Sequence, residues 1–128
     1  MRQIDILGRI LGKILTDLFG IKSKGEIIEL ESVSQILKNE LDLDLHYILL
    51  LPNDELIGFL NQKYNFNNDN FEKLAEILYV LGVDIENKGK RTILEKTKEI
   101  FEYLNLNSST YSIDRMNKIE KIKVLLQN

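Results

Sequence analysis

The sequence predicts an all-α fold, a single-domain helical bundle of about seven helices spanning residues 1–128. Apolar residues recur at steps of three and four in several segments, which places them on one face of a helix. Strand-like alternation occurs only at 41–51, and a lone buried strand would leave its backbone groups unsatisfied. With 128 residues, 44% of them hydrophobic and 29% charged, the chain has the composition of one globular domain.

The first predicted helix spans 3–19 and is strongly amphipathic. Its main apolar stripe consists of Ile4, Leu7, Leu11, Ile14 and Leu18. Gly20 is predicted to end it. Gly8 and Gly12 lie one turn apart, and a glycine inside a helix costs about 1 kcal/mol relative to alanine. We therefore expect a close approach of another backbone here, either within the chain or in a homodimer formed through helix 3–19.

Two more helices are predicted at 24–41 and 44–50, although the second segment also shows the alternation of a strand. Pro52 interrupts the pattern, and Asn53 is predicted to be the N-cap of a fourth helix at 54–62. These helices complete the N-terminal part of the domain, 1–62.

An asparagine-rich connection at 63–70 leads into the C-terminal part, 68–128. Asn67 is predicted to cap the next helix, with Phe66 packed against Phe71 as a hydrophobic staple.

The helix predicted at 68–87 is the centre of the fold. Nearly every position from 74 to 81 is apolar, so we expect neighbours on more than one side. Gly89 is predicted to end it, and a helix at 91–104 is expected to run antiparallel to it because the connection is short. The last helix is predicted to start at Ser112 as N-cap, with Tyr111 stapled onto Met116.

A resemblance to a known family rests on five residues of the central helix and its turn: Leu78, Leu81, Gly82, Ile85 and Gly89. With the helix that follows, they resemble a tetratricopeptide helix pair at 68–104, in which a small residue midway along the first helix lets the second pack closely. The whole chain also resembles an uncharacterised family of small bacterial helical proteins. The tetratricopeptide family's early aromatic is Leu78 here, and its closing proline is absent. Since one and a half units cannot form a stacked core, the N-terminal helices are expected to close it.

The resemblance implies a partner-binding groove lined by Tyr79, Val83 and Glu86. The favoured interpretation, however, is that helix 3–19 or its neighbour fills this groove from inside, because Tyr79 and Val83 are apolar. At the following turn, three cations cluster without the aromatic platform or basic stripe that nucleic-acid binding requires. The possible partner-binding residues are therefore Tyr79, Val83, Glu86, Lys88, Lys90 and Arg91.

Three short patterns have the form of known sites but lack their essential residues. The segment 8–14 has glycines too close together for a phosphate-binding loop and no Ser/Thr after its lysine. Calcium-loop spacing appears at Asn65, Asn67, Asp69 and Glu76 without the loop's glycine, so we interpret the segment as a connection into a helix. His46, the only histidine, is interpreted as partly exposed and structural. We therefore predict no catalytic residue, metal or cofactor.

Charge is divided unevenly along the chain. Residues 1–87 hold eight Lys/Arg and fifteen Asp/Glu, a formal charge of −7, whereas residues 88–128 hold nine and five, a charge of +4. Complementary halves packed on each other are the favoured explanation, and a basic surface for an acidic partner is the other. Charges interrupt the apolar residues of the N-terminus, so no membrane span or signal peptide is expected. The lack of cysteine fits a reducing cytoplasm, and abundant Ile, Lys and Asn suggest a bacterial source.

These observations together predict a non-enzymatic protein-interaction or scaffold module, located in the cytoplasm, with a protein partner and no nucleic acid. Two alternatives stay open. One is a small helical metabolite-binding regulator or enzyme, for which no convergent set of acids and bases is present. The other is a peripheral membrane protein attached by helix 3–19, whose polar face carries nearly balanced charges.

Overall fold

The computed structural model describes residues 3–86, 88–108 and 112–127, with side chains from residue 6 onward. Within those ranges the chain forms seven α-helices and no strand, which confirms the all-α prediction. A short 3₁₀ helix, Asn53–Glu55, precedes the fourth. The helices are α1 Gln3–Ser23, α2 Leu30–Leu41, α3 Leu45–Leu50, α4 Leu56–Tyr64, α5 Asn68–Asp84, α6 Gly89–Asn107 and α7 Ile113–Leu126.

Helix α5 is the centre of the bundle, with α6 packed on one side and α1 on another. Phe71, near the start of α5, contacts the ring of Tyr103, near the end of α6. Gly82, near the end of α5, lies against side chains near the start of α6. Helix α6 therefore runs antiparallel to α5. Gly8 lies near Asn70, and Lys22 bonds to Asp84 at 2.7 Å, so α1 runs parallel to α5. The antiparallel pair and the burial of α5 on more than one side are confirmed.

Helix α1 continues beyond Gly20, so the predicted end of this helix was wrong. The chain leaves the helix at Gly25, whose φ is +75°, a conformation that glycine adopts at little cost. The Glu26 N–H bonds to the Ile21 carbonyl at 3.2 Å, and the Gly25 N–H bonds to the Lys22 carbonyl at 2.9 Å. This pair of bonds is a Schellman motif, which satisfies the last carbonyls of the helix.

The second helix begins at Leu30 rather than at residue 24, because residues 24–29 form the connection that follows this motif. The third helix was predicted correctly in place of a strand. Its N-cap is Asp44, whose carboxylate accepts from the Tyr47 N–H at 3.2 Å.

Asn53 does not cap a helix, contrary to prediction. Its side-chain oxygen accepts instead from Lys96 Nζ at 2.6 Å. Lys96 is 4% exposed and makes no salt bridge in the described structure. An ammonium group removed from water needs a hydrogen-bond acceptor. The Asn53 oxygen therefore accepts from Lys96 instead of from a backbone N–H of the helix. Burial also lowers the pKa of Lys96.

The caps predicted further along the chain are present. Asn67 accepts from the Asn70 N–H at 2.8 Å, and Ser112 accepts from the Arg115 N–H at 3.0 Å. The Phe66 and Phe71 rings lie 5.1 Å apart, which confirms their staple. The predicted staple of Tyr111 lies outside the described residues.

A lysine, rather than a glycine, closes the central helix. Helix α5 ends at Asp84, and Gly89 is the first residue of α6, so the role predicted for Gly89 was wrong. Lys90 Nζ donates to the carbonyls of Gly82, Val83 and Ile85 at 3.1, 2.9 and 3.2 Å. These are carbonyls at the end of α5 that lack helical donors, and a cation also complements the negative end of the helix.

A continuous row of six aromatic rings joins the N-terminal helices to α5 and α6. We call it the aromatic row: Tyr47, Phe59, Tyr64, Phe66, Phe71 and Tyr103. Neighbouring ring centroids are 5.1 to 6.1 Å apart, which is the range of favourable tilted and edge-to-face contacts. The row connects α3 and α4 to α5 and α6, whereas α1 contacts α5 through a separate surface.

Candidate interaction groove

An open groove of about 810 Å³ lies where the connection between α1 and α2 meets the end of α5. Ile28 and Ile85 are buried beneath it, whereas Ile27 is 81% exposed. We call this the acidic groove, and its lining is Lys22, Gly25, Glu26, Ile27, Ile28, Glu29, Leu30, Glu31, Asp84, Ile85 and Glu86. An apolar base with charged groups around it is the usual composition of a recognition site.

The charged groups of the acidic groove are five carboxylates and one ammonium. Asp84 is neutralised by Lys22 at 2.7 Å, and Glu31 bonds to His46 Nε2 at 2.5 Å. The other three glutamates make no salt bridge with any described residue: Glu26, Glu29 and Glu86. The groove therefore has negative charge that no described side chain compensates by an ion pair.

The first turn of α2 borders the groove through Leu30 and Glu31, and its backbone donors have no acceptor among the described residues. Glu29 occupies the N-cap position, but its side chain makes no capping bond. The first helical bond is from the Val33 N–H to the Glu29 carbonyl at 3.2 Å. The N–H groups of residues 30–32 consequently have no acceptor within the helix. They are available to backbone carbonyls of a bound segment.

Glu86 lies in the acidic groove, but Tyr79 lies elsewhere. The Tyr79 ring is half-buried, 6.4 Å from the Phe101 ring, and Lys118 Nζ of α7 lies 5.3 Å from its centroid. Burial raises the pKa of Tyr79. The side of α5 that bears Tyr79 is thus turned toward α6 and α7, whereas α1 packs along the line of Asn70 and Asp84.

Ion pairs fasten α7 to this side of α5. Arg115 is 4% exposed and contacts Glu72 at 2.5 Å, while Lys118 contacts both Glu76 and Asp114. Burial lowers the pKa of Lys118, but the two carboxylates outweigh burial and raise it above its ordinary value. Both inter-helix pairs join the acidic half of the chain to the basic half, as expected of complementary halves.

The remaining candidates at the α5–α6 turn do not form one surface. Lys90 closes α5, as described above, and Val83 is half-buried. Arg91 contacts Glu95 at 3.3 Å and donates to the Leu126 carbonyl near the end of α7. Lys88 is exposed. Of the six predicted residues, the structure therefore brings only Glu86 into the groove.

The residues of the three short patterns have structural partners. Asn65 ends α4 with φ +56°, and Asp69 pairs with Lys73 at 2.8 Å. Lys13, at the end of the glycine-containing segment, lies in α1 and pairs with Asp17 at 3.6 Å. Among the described residues, no group of three or more His, Asp or Glu side chains is arranged to hold a metal ion.

Most of the acidic groove was missed by the sequence reasoning because residues 24–29 were assigned to a helix. The available signal was Gly25 directly followed by Glu26, Ile27, Ile28 and Glu29. A glycine after an amphipathic helix is a common stop, and it would have placed this segment in a connection.

Comparison with known proteins identifies no relative, so the function of the chain has to be inferred from the geometry of the groove. Across the described residues, no helix combines the length and the apolar character needed to cross a bilayer. The chain matches no protein family, no curated protein and no solved structure.

Proposed function

We propose that the protein is a non-enzymatic interaction module that binds a segment of another protein in the acidic groove. The observation that carries this proposal is the combination of an apolar base, free helix N–H groups and three uncompensated glutamates in one open groove. Binding an apolar side chain there would remove Ile27 from water, which is a favourable contribution of about 25 cal/mol per Å².

The groove is better suited to binding than to catalysis. Its one ammonium group is held by Asp84, and the histidine at its edge is exposed and bonded to Glu31. Buried polar groups outside the groove also have structural roles, as Lys96 and Arg115 do. A catalytic site usually pairs a nucleophile with a base, and the described lining contains no hydroxyl or imidazole group that could form such a pair with one of the carboxylates.

Site-specific crosslinking tests the proposal. A photoreactive amino acid is placed at Ile27 in the groove, or at Leu50, which is 84% exposed and outside it, as a matched control. The expected result in the producing cells is a discrete crosslinked protein at position 27 and none at position 50. Equal yields at the two positions, or none at position 27, would contradict the proposal.

A thermal-shift screen with nucleotides and divalent metals tests the alternative that the protein is a metabolite-binding regulator or an enzyme. No stabilisation is expected. A reproducible rise of several degrees in Tm with one compound would support the alternative, since a ligand that binds only the folded state stabilises it.

A further inference from the structure

On the basis of the proposed function, we infer that the occupant of the acidic groove is a basic and apolar segment of another protein. Such a segment carries at least two Lys or Arg side chains next to a branched or aromatic apolar residue. The charge of the groove and the order of residues along its edge lead to this chemistry.

The first step is the order of residues in the connection between α1 and α2. Glu26 and Glu29 flank Ile27 and Ile28, so carboxylates lie on both sides of an apolar pair. Glu86 adds a third carboxylate from the other wall. A segment with cations on both sides of an apolar anchor is complementary to this arrangement.

The second step is the contrast with another groove on the same molecule. It has a volume of about 680 Å³ and lies between α1, α2 and the end of α4. Its charged residues are Lys38, Glu40, Asp42 and Lys63, two of each sign. That groove has no preference for either sign of charge, whereas the acidic groove has an excess of four carboxylates over ammonium groups.

The third step concerns Ile27. A single exposed isoleucine is ordinary on a protein surface. Ile27, however, is 81% exposed beside the buried Ile28 and Ile85, so an apolar side chain placed over it extends an existing apolar contact. Complementary charge mainly sets the rate and specificity of association, while burial of the anchor supplies affinity.

A second copy of the chain is the competing occupant. Its α7 exposes Lys121 and Val124, the latter 59% exposed. Neighbouring Lys123, however, is paired with Glu120 at 3.3 Å within the same helix. This face therefore offers fewer unpaired cations than the groove has unpaired carboxylates, which favours a different protein.

Three fluorescent model peptides test the inference. They share one length and one apolar pattern and differ only in their charged positions, which are all Lys, all Glu or all Gln. Binding is measured by anisotropy, and the contacted residues are located by amide chemical shifts. We expect the Lys peptide to bind at least about tenfold more tightly than the Gln peptide, and the Glu peptide not to bind. Raising the salt from about 50 to about 500 mM should weaken the Lys peptide.

Matched variants locate the effect. E26Q/E29Q/E86Q should lose about tenfold in affinity for the Lys peptide, whereas E40Q/D54N/E55Q removes three exposed charges elsewhere and should stay within about twofold. Ile27→Ser should weaken the Lys peptide, and Leu50→Ser should not. Circular dichroism and Tm establish that each variant is folded.

Each other outcome overturns the inference and reports separately on the proposed function. If the Gln or Glu peptide binds in the groove as tightly as the Lys peptide, or if no peptide binds while Ile27 still crosslinks to a protein, the partner chemistry is wrong and the interaction function stands. If E26Q/E29Q/E86Q and E40Q/D54N/E55Q lose the same affinity for the Lys peptide, the peptide responds to the net charge of the protein and not to the groove. If sedimentation shows self-association that E26Q/E29Q/E86Q abolishes, the occupant is a second copy. If neither peptides nor crosslinks are found, both proposals are wrong.

Discussion

Helix α5 meets α6 and α1 through contacts that each contain glycine, but the glycines have different neighbours. At Gly82, an added Cβ would lie 2.9 Å from Leu94 Cδ2 and 3.0 Å from Ile93 Cγ2, both on buried side chains. On the α1 side, an added Cβ at Gly12 would lie 3.7 Å from Lys73 Cε, an ordinary contact, whereas at Gly8 it would lie 3.0 Å from the polar Asn70 Oδ1. A glycine in a helix therefore does not by itself show that two helices are close-packed.

The α1 contact also contains a buried polar side chain whose bonds are not satisfied, unlike those of Lys90 in the α6 contact. Asn70 is 1% exposed, and neither its side-chain nitrogen Nδ2 nor its side-chain oxygen Oδ1 has a partner among the described residues. Lys73 Nζ bonds to the Gly8 carbonyl at 3.1 Å and to Asp69 at 2.8 Å. The α6 side thus combines close apolar packing with a satisfied polar contact at Lys90, and the α1 side combines an apolar stripe with an imperfectly satisfied polar edge.

The largest effect is expected for Gly82→Ala, which should destabilise the fold by about 2 kcal/mol. Overpacking against Ile93 and Leu94 costs about 1–3 kcal/mol and exceeds the gain in helix propensity. The measurement is the free energy of unfolding in urea. Stability equal to that of the wild type would show that α6 moves away freely and would remove the distinction between the two contacts.

Lys90→Met tests the closure of α5 beside α6. Loss of three bonds to helix carbonyls should lower the free energy of unfolding by about 1 kcal/mol. Lys88→Met, at an exposed neighbour with no described bond, is the control and should change it by less than about 0.5 kcal/mol. Equal effects of the two substitutions would mean that the bonds of Lys90 do not stabilise the turn.

Asn70→Leu tests the polar edge of the α1 contact and should stabilise the protein by about 1 kcal/mol. The substitution removes two buried polar groups without described partners and keeps the number and branching of the side-chain heavy atoms. Thermal and urea unfolding give the change. A loss of stability instead would indicate that Asn70 does bond in solution, for example to ordered water.

Gly12→Ala should give the smallest effect, a gain of up to about 1 kcal/mol from helix propensity. The new methyl group has room beside Lys73. Measured beside Gly82→Ala, it should have the opposite sign. A destabilisation of similar size would mean that α1 approaches α5 more closely than described.

The sequence was most informative where a local interaction determines the structure. The cap at Asn67 and the Phe66–Phe71 staple join residues only a few positions apart, so their pattern can be recognised directly. Asn53 was misassigned because its partner, Lys96, is 43 positions away. Helix periodicity identified α5 and α6 but could not locate their ends, since Lys90 rather than Gly89 closes α5.

The candidate site was less predictable than the fold. Glu86 was identified through a resemblance to tetratricopeptide helix pairs, a relationship that stays a prediction. The rest of the acidic groove depends on where Gly25 turns the chain and on which residues of α5 that turn meets. Such a meeting of distant segments has no periodic signature in the sequence.

The aromatic row has a practical consequence for experiments on this chain. Three of its six rings are tyrosines, and the protein has no tryptophan, so near-ultraviolet circular dichroism will come chiefly from tyrosines in asymmetric surroundings. Because the row passes from α3 through α4 to α6, separation of the amino-terminal helices from the central pair would diminish that signal while the far-ultraviolet helical spectrum persisted. The molecule thus carries its own optical reporter of whether its two parts remain joined.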